Sequence, residues 1–154
     1  MPAKVTFIDT SVLCELLEVP GMCSQHEDIR TEFELRDDDG ERFVIPITAV
    51  IETGNHIAQA AGDRRAAAER FVRFLAAGVS DEAPFTVHRL SWDDEFLTEL
   101  CAGNTTGQPF IDLASAKMGA GDVAILVERD RFKRDSAYTD VQVWTLDEAL
   151  AAYG

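Results

Sequence analysis

Four short apolar runs, Val5–Ile8, Phe43–Ile45, Phe85–Leu90 and Val141–Thr145, alternate with longer stretches of helical character. A chain that alternates strand and helix in this way builds a largely parallel sheet with helices on both faces. The expected fold class is therefore α/β, a three-layer α/β/α sandwich around a central, mostly parallel sheet. A length of 154 residues suits one domain with one core, spanning 1–154.

The helical stretches carry their own start and stop signals. Asp9-Thr10-Ser11 offers capping side chains to a short helix over Val12–Val19, which stops at Pro20-Gly21. Ile29 and Phe33 mark an amphipathic helix from Gln25 to about Arg36, followed by a turn at 37–40. Pro46 closes the second strand, and Ile47–Ala61 is predicted to be a helix packing through Val50, Gly54, Ile57 and Ala61. Asp63 caps the next, over Arg64–Ala77, where Glu69 and Arg73 form an i,i+4 pair. Ser91 precedes a helix reaching Leu100 and Cys101. Pro109 sits at the start of a helix over Phe110–Met118. Gly119-Ala120-Gly121 breaks that helix, and Asp122 caps another from Val123 to about Arg131. Asp147 opens a terminal helix, Glu148–Tyr153.

The N-terminus lacks the pattern of a secretory signal, and no apolar run approaches the ~20 residues needed to span a bilayer. Cys14, Cys23 and Cys101 are odd in number, and neither they nor His26, His56 and His88 show metal-ligand spacing. A reduced, cytoplasmic protein is the expectation. The formal net charge of −14 argues against a simple basic nucleic-acid binder. It suits either a cation site built from some of the acids or a surface that meets a basic partner.

Among the 28 acids, a few hold unusual positions. Asp9 directly follows the first strand, and Asp147 follows the last after Thr145-Leu146. In a parallel sheet both project from the carboxyl edge, where open α/β folds bind ligands. Asp122 stands at a helix start behind two glycines. Glu52 shares a helical stripe with Asn55, His56 and Gln59. Taken singly, these residues equally suit a solvated face or ordinary helix caps.

Four segments, in order, resemble PIN-domain motifs. Phe7-Ile8-Asp9-Thr10-Ser11 is similar to the opening strand, acid and hydroxyl residues; Ile45–Glu52 to a helix bearing a Glu; Gly119–Ile125 to an Asp opening an apolar helix; and Val143-Trp144-Thr145-Leu146-Asp147 to a strand ending in Thr-x-Asp. The resemblance spans nearly the whole chain. It is nearest to VapC-type ribonuclease toxins of toxin–antitoxin modules, with extra length in the acidic stretch 22–42.

That resemblance implies an endoribonuclease that hydrolyses phosphodiester bonds with Mg²⁺ or Mn²⁺. Asp9 and Asp122 would be the core metal ligands, Glu52 a water-mediated ligand or orienter, and Asp147 the completion of the second position. Thr10, Ser11 and Thr145 would hold the acids by hydrogen bonds. Hard carboxylate oxygens select these cations. Asp112, which also begins an apolar helix, is the alternative third acid. RNA is the expected substrate, a cognate antitoxin and a homodimer are the expected partners, and no membrane is involved. Arg64, Arg65, Arg70 and Arg73, and separately Arg129, Arg131, Lys133 and Arg134, either offer RNA a basic patch or serve as helix-end charges and surface ion pairs. Two other readings are a PIN-fold module that binds a partner without cutting, and an α/β phosphatase using Asp9. Against the latter, the second Asp of that pattern is Ser11 here, and no Gly-rich phosphate loop is present.

Overall fold

The computed structural model describes residues 3–80 and 83–154. Four parallel strands, β1 (Val5–Ile8), β2 (Arg42–Ile45), β3 (Phe85–Val87) and β4 (Val141–Trp144), form one sheet in the order β3-β2-β1-β4. Alternating side chains feed two cores. Ile8, Phe43, Ile45, Phe85 and Trp144 pack against α1 (Thr10–Leu16), α2 (His26–Asp38), α3 (Ile47–Gln59) and α4 (Arg64–Val79). Val5, Phe7, Val44, Val141 and Val143 face α7 (Ala120–Asp135) and α8 (Glu148–Ala151). Two further helices, α5 (Asp94–Ala102) and α6 (Phe110–Ser115), pack on the outside of α7 through Phe96, Leu113, Val123 and Val127. The molecule is thus a three-layer α/β/α sandwich. No helix among the described residues is long and apolar enough to cross a membrane.

The strand order places a topological switch beside β1. The chain leaves β1 towards β2 and β3, and returns to β4 on the other side of β1. Crossovers depart on opposite faces at such a point, which opens a crevice beyond the carboxyl ends of β1 and β4. Asp9, directly after β1, and Asp147, shortly after β4, follow these strand ends.

Several boundaries differ from the sequence expectation, each for a local reason. Helix α1 starts two residues earlier than Val12 because Asp9 itself is the cap, and it ends before Glu18, whose φ is +52°. Strand β3 stops at Val87; His88 donates its amide to Ile45 and turns its ring inward. Asp93, not Ser91, caps α5, accepting the Phe96 amide at 2.9 Å. Helix α6 ends at Ser115, because Lys117 takes a left-handed φ of +72° and Met118 bonds back to Leu113. The break therefore precedes the glycines, and α7 begins at Ala120 with Gly119 as its cap. Asp122 consequently lies in the first turn of α7 and caps nothing. Helix α3 ends at Gln59, which leaves Ala61 exposed outside it. Glu69 pairs with Arg65, one turn before it, instead of with Arg73. Helix α8 is four residues long and stops short of Tyr153.

Candidate active site

Asp9 leaves β1 as the cap of α1 and is buried. Its Oδ2 accepts hydrogen bonds from Ser11 Oγ at 2.8 Å and Thr145 Oγ1 at 2.7 Å. Ser11 Oγ in turn accepts the Leu146 amide at 2.9 Å, and Thr145 Oγ1 accepts the Asp147 amide at 3.0 Å. Two hydroxyls thus stitch the end of β1 to the end of β4 and fix one carboxylate oxygen. Oδ1 of Asp9 keeps its lone pairs for another partner.

Glu52 stands on the second turn of α3, where Thr10 donates to its Oε1 at 2.9 Å. Its carboxylate lies against Gly121 of α7. A Cβ added there would come within 2.7 Å of Glu52 Oε2 and 2.8 Å of the carboxyl carbon. A glycine at this position is what lets the two helices bring Glu52 beside Asp122. Asp147 is more peripheral: it is exposed, and its Oδ1 caps α8 by accepting the Ala149 and Leu150 amides at 2.9 and 3.3 Å.

The electrostatics record how close these acids stand. Burial, reinforced by Asp9, Asp147 and Glu52, pushes the Asp122 carboxyl up to about 7. Burial raises Glu52 as well, with Asp9 adding to the shift and the Thr10 hydroxyl and His56 opposing it. Asp122 makes no hydrogen bond or ion pair with the described residues. It is a half-buried carboxyl group surrounded by three others. Cys14 lies near the same charges; burial, opposed by the Thr53 hydroxyl and reinforced by Asp9, Glu15 and Glu52, lifts its thiol to about 11, which disfavours the thiolate.

Asp9, Glu52 and Asp147 thus all act on Asp122, Thr10 bonds to Glu52, and Ser11 and Thr145 bond to Asp9. As these side chains are placed, no three His, Cys, Asp or Glu groups among the described residues meet closely enough to hold one ion. Asp112 is exposed on α6 and is not among the charges acting on Asp122. Compared with family models, characterised proteins and solved structures, the chain gives no match. Its chemistry must be argued from the site itself.

Two basic residues of the second patch are committed elsewhere. Arg129 is buried against Asp130 and the Tyr153 carbonyl, and Arg131 is buried against Asp93 and Glu99. They are structural cations. Sequence reading missed Glu128, a fully buried acid on α7 bonded to Thr48 and near His88. No local signal marks it, because its partners are distant in the chain, on α3 and just beyond β3.

Proposed function

We propose that this chain is a PIN-type endoribonuclease, dependent on Mg²⁺ or Mn²⁺, and the toxin of a toxin–antitoxin pair. The observation that carries the reading is Asp122: a half-buried carboxyl group without a hydrogen-bond donor among the described residues, beside Asp9, Glu52 and Asp147. Ionised together, these groups repel one another unless a cation lies between them. All the free donors are hard carboxylate oxygens, the ligand type of Mg²⁺ and Mn²⁺.

A bound divalent ion supplies Lewis acidity, neutralising phosphoryl charge and acidifying a water. The chain's own residues do the rest. Ser11 and Thr145 hold Asp9 Oδ2, so that Oδ1 is aimed and immobilised. Thr10 fixes Glu52 Oε1, leaving Oε2 beside Gly121 to orient an incoming water. Asp122 would hold the cation as a carboxylate, so binding there would compete with the proton that burial and the neighbouring acids favour. Asp147 shapes the outer side of the site while capping α8.

The test is cleavage of RNA in Mg²⁺ or Mn²⁺ by the wild type, Asp9→Asn and Asp122→Asn. Wild type is expected to cut, and both variants to lose at least a hundredfold. Equal cleavage by all three assigns the activity to another site or protein. A second reading, a PIN-fold module that binds a basic partner without cutting, draws on the net charge of −14. Wild-type protein that binds no Mn²⁺ at these positions would favour it.

A further inference from the structure

Glu128 is fully buried and takes no direct part in the acid cluster. A carboxyl group in such a place is unfavourable unless it is hydrogen-bonded. It has two partners from two other elements. Thr48, in the first turn of α3, donates its hydroxyl to Oε1 at 3.2 Å. His88, just beyond β3, lies with Nδ1 3.1 Å from Oε2. The imidazole cannot swing away, because its ring packs edge-on against Phe7 and Phe132, with centroids at 5.5 and 5.8 Å. Its backbone is pinned by the hydrogen bond its N–H donates to the Ile45 carbonyl.

These contacts tie α3 to α7 close to the acids. Thr48 precedes Glu52 by one helical turn, and Glu128 follows Asp122 by six residues, about 9 Å along the axis. One turn along α3 from Thr48, the Glu52 carboxylate lies against Gly121 of α7, where an added Cβ would come within 2.7 Å of Oε2. The gap between Glu52 and Asp122 therefore depends on the spacing of α3 and α7, which the Thr48–Glu128–His88 bridge fixes from below.

We propose that Glu128 is a positioning residue that sets the separation of Glu52 from Asp122, a role that rests on reading those acids as an active site. A leucine at 128 fills similar volume but makes neither bond; a valine at 48 removes the α3 arm alone. A glutamine at 128 keeps both, accepting from Thr48 and donating to His88 Nδ1 once the ring proton sits on Nε2.

The experiment uses the full chain in two states. In metal-free protein, backbone amide NMR shifts are recorded at Glu52 and Gly121; Mn²⁺ affinity is then measured by electron paramagnetic resonance. Glu128→Leu and Thr48→Val are expected to move both amides and weaken Mn²⁺ binding about tenfold, in the range seen when an outer support of a metal site is lost. Glu128→Gln is expected to retain wild-type shifts and affinity. A folded Leu or Val variant with a lower Tm but unchanged shifts at Glu52 and Gly121 overturns the proposal. If Glu128→Leu fails to fold, Thr48→Val decides. Wild-type protein that binds no Mn²⁺ would remove the proposed function, and the amide shifts would still decide whether Glu128 sets the spacing.

Discussion

Asp122 shows most plainly how a single side chain can be at odds with the stability of its own fold. Its carboxyl holds a proton up to about pH 7, whereas an unfolded aspartate releases it near 4. Between those values the folded chain binds more protons than the unfolded one, so this group lowers stability as pH rises through the window. Metal-free Asp122→Asn should therefore melt above wild type at pH 8, and the gap should shrink towards pH 4. Melting curves in a chelator check this; a lower Tm for the variant at pH 8 would contradict it. Gly121 makes a companion case. Gly121→Ala should fold, because the obstructing atoms are the end of a Glu52 side chain that can rotate. It should nevertheless lose at least tenfold in RNA cleavage, since Glu52 must leave its place to accommodate the methyl group. Retained cleavage would show that the close approach is incidental.

The elements around the site differ in how far the sequence announced them. Asp9 capping α1 and Asp147 capping α8 were legible, because acid-after-strand and acid-before-helix are local signals. The start of α7 was not: two glycines read as a break, but a left-handed Lys117 ends α6 first and frees Ala120 and Gly121 to be helical. The Ser11–Thr145 bracket was foreseen only as support, since the contact spans 134 residues and depends on β1 pairing β4. Glu128 was missed because an acid inside an apolar helix reads as a surface residue until its partners, Thr48 of α3 and His88 just beyond β3, are known. Helix α8 gives a test at this scale. Asp147→Ala should lose about 1 kcal/mol from the missing cap, whereas Asp147→Asn keeps the cap and removes only the charge. Denaturant melts of the two separate structural from electrostatic use of this residue; equal loss in both would contradict the separation.

For the molecule as a whole, the proposed function requires a chain of net charge −14 to meet a polyanion. Of the α7 cations, Arg129 and Arg131 are buried in ion pairs and Arg134 is paired with Glu95, Glu99 and Asp135. Arg70 is spent on the Leu17 and Glu18 carbonyls. Arg64, Arg65 and Arg73 remain on the exposed side of α4. Reversing Arg64 and Arg73 to Glu should weaken RNA binding and flatten its salt dependence, the signature of lost phosphate contacts. Unchanged affinity and slope would take α4 out of the substrate path. The acid cluster itself needs a more direct trial, since everything else presupposes it. That trial is a Mn²⁺ titration followed by electron paramagnetic resonance, on wild type, Asp9→Asn and Asp122→Asn at neutral pH. Saturable binding by the wild type, lost or greatly weakened in both variants, is the predicted result. Equal binding by all three proteins, or none by the wild type, would contradict it.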